Sequence, residues 1–465
     1  MTDDYALLLK QYGQEHLLDY LPMLGEREQK MLLADIDQID LDALTDLYHS
    51  YTANHNTASN DDIVVEQAEV LSFHKPSDAT DERKRLYAEG ESLLSAGKVA
   101  LFLVAGGQGT RLGFDGPKGC FPISPVAAKS LFQLFAESVL ALQRRYCNSI
   151  PWYIMTSQEN NTETTDFFQT NLFFGLDPAS VHFIVQQQIP SLTLDGKLIV
   201  GENKRIFKNP NGHGGSLYAL HESGALQDMS RRGIEEIFYF QVDNPLVNIA
   251  DPLFIGAHRQ HGADMSTKVV EKIDPSERVG IIGKLNGRLS CIEYSELTDE
   301  QARERLDDGR LRFSSANIAI HMINRRFVER LIASSHFHLP YHFAVKDIVC
   351  LVPEASRLIS TTMKGIKCEM FVFDALGSAR NAVTLEVSRG EEFSPVKNAD
   401  GSDSPHTARR SLSARYAGWL RRSAPHLSIP DSFVVEVSPL YALTEEEFSA
   451  KYTPPLHIAS PLYIE

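Results

Sequence analysis

Three glycines in the run Val104-Ala105-Gly106-Gly107-Gln108-Gly109 mark a place where backbone alone could do chemistry. Residues without a Cβ let the chain approach a ligand closely and turn successive N–H groups toward phosphate oxygens. Arg111 and Lys118 follow on the same rim, one a planar fork of donors and the other a mobile point charge. The letters fit neither standard phosphate loop: a dinucleotide fingerprint counted from Gly107 needs glycine where Leu112 stands, and no Gly-Lys-Ser/Thr follows. A second candidate is Asp243, a lone carboxylate just after the apolar run Ile237–Val242. Such a residue can hold a hard divalent cation when phosphate oxygens complete the shell. No Ser/His/Asp or Cys/His arrangement supplies a convincing protein nucleophile. His336, His338 and His342 share one loop-like stretch but lack the spacing of zinc ligands.

These residues need elements to position them. Val99–Val104 is a short, continuous apolar run, as expected of a parallel strand buried on both faces. The glycine turn therefore sits at a strand's carboxyl end, where open α/β sheets bind ligands. Trp152–Thr156, Val181–Gln186, Ile237–Val242 and Ser266–Val270 read as further strands, and Ser130–Gln143 as a helix. Strands alternating with helices predict an α/β, doubly wound, Rossmann-like central sheet. Before it, residues 1–97 read as a helical amino-terminal domain, with a polar loop at Ala53–Asp62 and a charged helix at Asp81–Leu94. Residues 98–382 form the expected catalytic domain. After Val383 the pattern resets, so residues 383–465 are read as a small third domain, with a polar loop at Asn398–His406 and a helix at Thr407–Arg421.

Length and composition bound the answer. The 465 residues allow roughly two to four domains. A net charge of −16 argues against a general nucleic-acid or anionic-membrane binder, so any phosphate site must be a local cluster of cations and amides. The five cysteines are odd in number and scattered, as expected of reduced thiols in a cytoplasmic protein. No apolar stretch is long enough to predict a membrane span, and no basic segment ahead of an apolar run predicts a signal peptide.

The glycine run through Pro117-Lys118-Gly119 resembles the signature of nucleoside-diphosphate-sugar pyrophosphorylases, and other segments narrow the resemblance. Gly13-Gln14-Glu15-His16-Leu17-Leu18, Gln241-Val242-Asp243-Asn244-Pro245-Leu246-Val247, Lys268-Val269-Val270-Glu271-Lys272, Glu293-Tyr294-Ser295-Glu296, Gly365-Ile366-Lys367 with Phe371-Val372-Phe373-Asp374, and the run Glu392–Asp400 occur in family order. Together they are similar to the eukaryotic-type UDP-N-acetylglucosamine pyrophosphorylase family. The resemblance implies a nucleotidyltransferase (GT-A-like) fold and a reaction in which UTP and a sugar 1-phosphate give a UDP-sugar and pyrophosphate, with Mg²⁺. Both reactants are polyanions; two unit charges 4 Å apart repel by about 4 kcal/mol at an effective dielectric near 20. Cations must neutralise them, and catalysis is then mostly positioning and charge stabilisation.

Residue by residue, the resemblance puts the nucleotide at Val104, Ala105, Gly106, Gly107 and Gly212, and the triphosphate at Arg111 and Lys118. Gln186 would read the uracil edge, since an amide donates and accepts at once. Asp243 would hold Mg²⁺ beside the nucleotide, Lys367 would contact UTP and Lys397 the sugar phosphate. Lys397 lies so far along the chain that domain closure is expected to bring it in. His213, Gly280, Glu293 and Asn317 would surround the sugar. His213 departs from the family's Asn, and Gly212-His213-Gly214 instead resembles the UDP-glucose pyrophosphorylases. Glucose 1-phosphate, or broad specificity, is therefore the alternative to N-acetylglucosamine 1-phosphate. The readings from other classes are an NAD(P)-dependent oxidoreductase, disfavoured by the failed fingerprint, and a non-catalytic nucleotide-sugar binder, disfavoured because Arg111, Lys118, Asp243 and Lys397 are all present.

Overall fold

The run Val99–Val104 forms a strand whose first five residues are buried, with a parallel neighbour on either side. An uninterrupted apolar run has no solvent-tolerant face, so the middle of a sheet is its place; each fully buried Leu or Phe there contributes about 1.5–3 kcal/mol. The structure, a computed structural model, describes residues 2–56, 64–73, 80–294, 296–334, 339–455 and 457–465.

The chain divides into two compact units. The second, made of Val64–Gln186, Ser216–Phe337 and Phe373–Glu465, holds the central sheet. Its principal strands are β1 (Leu71–Ser72), β2 (Val99–Val104), β3 (Trp152–Thr156), β4 (Val181–Val185), β5 (Glu236–Gln241), β6 (Met265–Glu271), β7 (Ser315–Asn324) and β8 (Ala382–Glu386). They run in the order β1-β8-β6-β7-β5-β2-β3-β4. From β2 the chain steps outward to β3 and β4, then returns to place β5 on the other side of β2, so the order reverses at β2 and β5. β7 is antiparallel to both neighbours, and the other pairings along this path are parallel. The five strands expected from sequence all form, within a residue or so of their expected ends. β7 was not among the expected strands, although Ala316, Ile318, Ile320 and Met322 alternate with Asn317, Ala319 and His321 as a half-buried strand requires.

The first unit comprises Met1–Ile63, Gln187–Gly215 and His338–Val372. Helices Thr2–Gln11, Glu26–Asp37 and Leu41–Asn56 share a core with a long antiparallel hairpin, Tyr341–Glu354 and Arg357–Met370, and with the short strand Leu192–Thr193 on its edge. The Gly13–His16 segment is a fastener. Gln14 donates to the Gly196 carbonyl at 3.0 Å and accepts from the Leu198 N–H at 2.8 Å, while His16 Nε2 meets the Leu198 carbonyl at 2.8 Å.

This partition cuts across the three consecutive domains 1–97, 98–382 and 383–465. Asp81–Ser95 belongs with the second unit, and β8 begins at residue 382, where a boundary was expected. The physical reason is pairing between distant segments: β8 lies in register with β6 from Met265↔Ala382 to Val269↔Glu386, which no local composition change reveals. The expected polar loop at Ala53–Asp62 is helical as far as Asn56, and residues 57–62 lie outside the described residues. The loop expected at Asn398–His406 ends earlier, because Ser404 caps a helix spanning Pro405–Ser423.

Candidate active site

Beyond β2 the glycine run closes on itself. Gly109 N–H donates to the Gly116 carbonyl at 2.8 Å and Lys118 N–H to the Gly107 carbonyl at 3.1 Å, pinching residues 107–118 into a loop at the carboxyl edge of the sheet. Arg111 lies exposed in its middle and Lys118, half-buried, at its closing end. The loop hangs on Asn160, which is fully buried. Its side-chain amide donates to the carbonyls of Ala105 at 2.9 Å and Gly107 at 3.3 Å, and its Oδ1 accepts from Ser157 N–H at 2.8 Å. Gln186, just past β4, is buried against the same turn. A Cβ on Gly106 would lie 3.2 Å from Gln186 Oε1 and 3.4 Å from Ser157 N, so a side chain there crowds the amide. The structure thus gathers Val104, Ala105, Gly106, Gly107, Lys118 and Gln186 around one turn at the switch in strand order, where ligands of open α/β sheets bind.

Asp243 follows β5, the strand next to β2, and Val242 N–H bonds the Val104 carbonyl at 3.1 Å. Its own carbonyl accepts from Val396 N–H at 2.8 Å. Lys397, exposed, is the next residue. The expectation that domain closure brings Lys397 in is corrected here: residues 392–397 belong to the same unit as Asp243, and Val396 is bonded to its backbone. Among the described residues no group of three or more His, Cys, Asp or Glu could hold a metal ion. A cation at Asp243 would need other oxygen ligands, and a lone, partly exposed carboxylate suits one completed by phosphates and water.

Gly280, Glu293 and Asn317 form a third cluster in this unit. A Cβ on Gly280 would meet Cys291 Sγ at 2.7 Å and Glu293 Oε1 at 3.4 Å, and Asn317 Nδ2 lies 3.7 Å from the same sulfur. Asn317 Oδ1 accepts from Ala319 N–H at 3.0 Å and from the Thr267 hydroxyl at 3.4 Å, which turns the amide nitrogen away from the strand. The cause lies in β7. Its register against β6 shifts between Thr267↔His321 and Val269↔Asn317, leaving residues 318–320 bulged, with Ala319 left-handed at φ 55°. Bulges re-aim side chains in this way. Cys291 is buried, which with the nearby Glu293 pushes its thiol well up and leaves it protonated and inert.

The remaining predicted residues lie in the first unit. Gly212 is left-handed at φ 81°, and a Cβ there would meet the Met370 carbonyl oxygen at 2.4 Å, so only glycine fits. The His213 ring stacks on Phe371 with centroids 5.0 Å apart, and Phe371 in turn stacks on His342 at 4.2 Å. Val372 N–H donates to His213 Nδ1 at 3.1 Å, which puts the ring proton on Nε2. Burial, with His342 nearby, lowers the His213 pKa to about 4, so the ring is neutral. Lys367 sits on the hairpin paired with Glu369 at 2.7 Å. The reading of His342 as a loop histidine is corrected: it lies in a strand, opposite Glu369. His336 and His338 lie outside the described residues.

The chain matches the UTP–glucose-1-phosphate uridylyltransferase family over residues 41–450. It belongs to that family. Within it, the chain is 37% identical to the human UDP-N-acetylhexosamine pyrophosphorylase-like protein 1, over 94% of this chain and 89% of that one. It is 33% identical to the UDP-N-acetylglucosamine pyrophosphorylase of Saccharomyces cerevisiae, over 97% of each. Among solved structures, the uridine diphosphate N-acetylglucosamine pyrophosphorylase of Trypanosoma brucei superposes with a TM-score of 0.81 at 27% identity, covering 100% of this chain and 98% of that one. In this member of the uridylyltransferase family, sequence reading missed Asn160, Thr267 and Cys291. The one signal for Asn160 was its place just after a predicted strand, on the edge where the glycine loop lies; Cys291 passed as core filler.

Proposed function

We propose that this chain is a uridylyltransferase that takes UTP and an N-acetylhexosamine 1-phosphate, N-acetylglucosamine 1-phosphate foremost, and forms the UDP-sugar with release of pyrophosphate. The observation that carries the reading is the pinched glycine loop at the reversal of strand order, resting on buried Gln186 and followed by Lys118. The names of relatives matching nearly the whole chain supply the substrate class.

In this reading an oxygen of the sugar phosphate attacks the α-phosphorus of UTP; a new P–O bond forms as the bond to the β-phosphate oxygen breaks, and pyrophosphate leaves with that electron pair. Loop amides and Gln186 orient the nucleotide, the amide donating to one uracil carbonyl and accepting from N3–H. Arg111 and Lys118 neutralise the triphosphate and the charge that grows on the leaving group. Lys397 takes the sugar phosphate, and Lys367 and Gly212 contact UTP. Gly280, Glu293 and Asn317 are assigned to the hexose, and the resemblance assigns His213 a role in sugar choice. Mg²⁺, held by Asp243, would supply further neutralisation of the phosphates. A cytoplasmic setting is part of the proposal and accords with five free thiols. No helix among the described residues is long and apolar enough to cross a membrane.

The Gly212-His213-Gly214 segment, similar to that of the UDP-glucose pyrophosphorylases, favours a second reading, glucose 1-phosphate. Pyrophosphate release from UTP and Mg²⁺ separates the two when N-acetylglucosamine, N-acetylgalactosamine, glucose and galactose 1-phosphates are compared. Preference for N-acetylated sugars is expected. Preference for glucose establishes the second reading, and no release with any sugar despite bound UTP overturns both.

A further inference from the structure

Lys268 is the one charged residue in the buried stretch Met265–Val270 of β6, and its side chain is fully buried. Nζ lies 2.7 Å from Asp251 Oδ2 and 2.9 and 2.6 Å from the two carboxylate oxygens of Glu392. The bulge in β7, residues 318–320, falls opposite Lys268 in the register. Burial works against the ammonium, yet Asp251 and Glu392 together hold its pKa above the usual lysine value. Well-packed apolar side chains would serve stability at least as well as such a cluster, so a demand for position is the better account of it.

Each member sits on a different element. Lys268 is on a central strand, Asp251 caps the helix Pro252–Gln260 through Leu253 N–H at 3.0 Å, and Glu392 ends the short helix Arg389–Glu392. Downstream of Glu392 every second residue is fixed. Asn244 Nδ2 donates to the Glu392 carbonyl at 2.7 Å, Ser394 N–H donates to Asn244 Oδ1 at 3.1 Å, and Val396 N–H donates to the Asp243 carbonyl at 2.8 Å. Lys397 comes next. The segment leading from the buried lysine to Lys397 is thereby sewn to the two residues Asp243 and Asn244.

We propose that the Lys268–Glu392 ion pair is a positioning device that sets the place of Lys397 against Asp243, and so governs binding of the sugar 1-phosphate. Neither residue touches substrate in this account; both act through the 392–397 segment. The proposal rests on the roles given above to Asp243 and Lys397.

Glu392→Ala is the test, because it cuts the tether while leaving Lys268 paired with Asp251. Expected is a rise of about tenfold or more in KM for the sugar 1-phosphate, with KM for UTP within about twofold. Amide hydrogen exchange at 394–397 in the ligand-free protein should accelerate about tenfold, with β2 and β3 unchanged. Glu392→Gln, which keeps an acceptor for Lys268, should restore most of both. The proposal is overturned if both KM values stay put, or if exchange quickens throughout the unit, the mark of a merely structural role. Wild-type protein assayed in parallel separates the failures. If it releases no pyrophosphate with any sugar, the functional reading falls, and the tether is decided by exchange alone, with local acceleration supporting it and unchanged or global exchange overturning it.

Discussion

The glycine loop after β2 and the cluster of Gly280, Glu293 and Asn317 belong to the same unit but are built on opposite plans. In the loop the exposed groups are glycine backbone and Arg111, with Lys118 half-buried, and the side chains that shape it, Asn160 and Gln186, are buried behind it. In the cluster the working groups are side chains, aimed by a bulged strand and a buried thiol. A backbone cradle has one shape and serves what all substrates share, the phosphates; a side-chain pocket can be re-lettered without refolding and serves what differs between substrates. The reaction should therefore fail when the loop is touched, while selectivity should shift when the pocket is touched.

The largest effect should come from the charges on the loop side. Lys118→Ala and Asp243→Ala are each expected to lower pyrophosphate release by about 10²–10³, the usual scale for one preorganised electrostatic group, with the thermal midpoint unchanged. A loss below tenfold for both would break the division just drawn. Next is Asn160→Ala, which removes the side chain that satisfies two carbonyls and the Ser157 N–H. About 2–3 kcal/mol of stability should be lost in urea titrations, together with weaker UTP binding. Gly106→Ala presses a methyl on Gln186 and should weaken UTP binding by about 1–3 kcal/mol, as overpacking does, with KM for the sugar phosphate little changed.

Smaller and different in kind is His213→Asn. It should move the ratio of kcat/KM between N-acetylated and plain hexose 1-phosphates by about 10–200-fold at most, the range one pocket contact can supply, with total activity retained. The last effect is in pH. The His213 pKa near 4 lies below its unfolded value, so the unfolded chain binds the extra proton as pH falls from about 6.5 toward 4. Stability should decline through that window and level off below it. In His213→Asn that part of the slope should vanish, and an identical slope in both proteins would show that the ring is not buried as described.

Much of the sheet was legible because its signals are local. Val99–Val104 and Trp152–Thr156 are continuous apolar runs, and the loop after β2 carries its glycines and cations within a few turns of chain. β7 alternates just as locally, at Ala316, Ile318, Ile320 and Met322, and went unread; what the sequence does not show is the bulge within it. The three-domain reading placed Lys397 across a boundary from Asp243, whereas β8 pairing and the bond from Val396 make them near neighbours. Asn160 and Glu392 looked like ordinary polar residues. Their importance lies in burial against partners 53 and 124 positions away, which no window of sequence contains.

By itself the sequence determined the α/β class, the strand that ends in the glycine loop, the cations beside it and the resemblance to UDP-sugar pyrophosphorylases. Each of these depends on side-chain type and short spacing. Only the tertiary structure decided which units the segments join, how Asn160 and Gln186 back the loop, how a bulge turns Asn317 outward, and that a buried lysine holds the segment leading to Lys397. Those follow from pairings between distant parts of the chain, where the cost of burying polar groups selects a single arrangement.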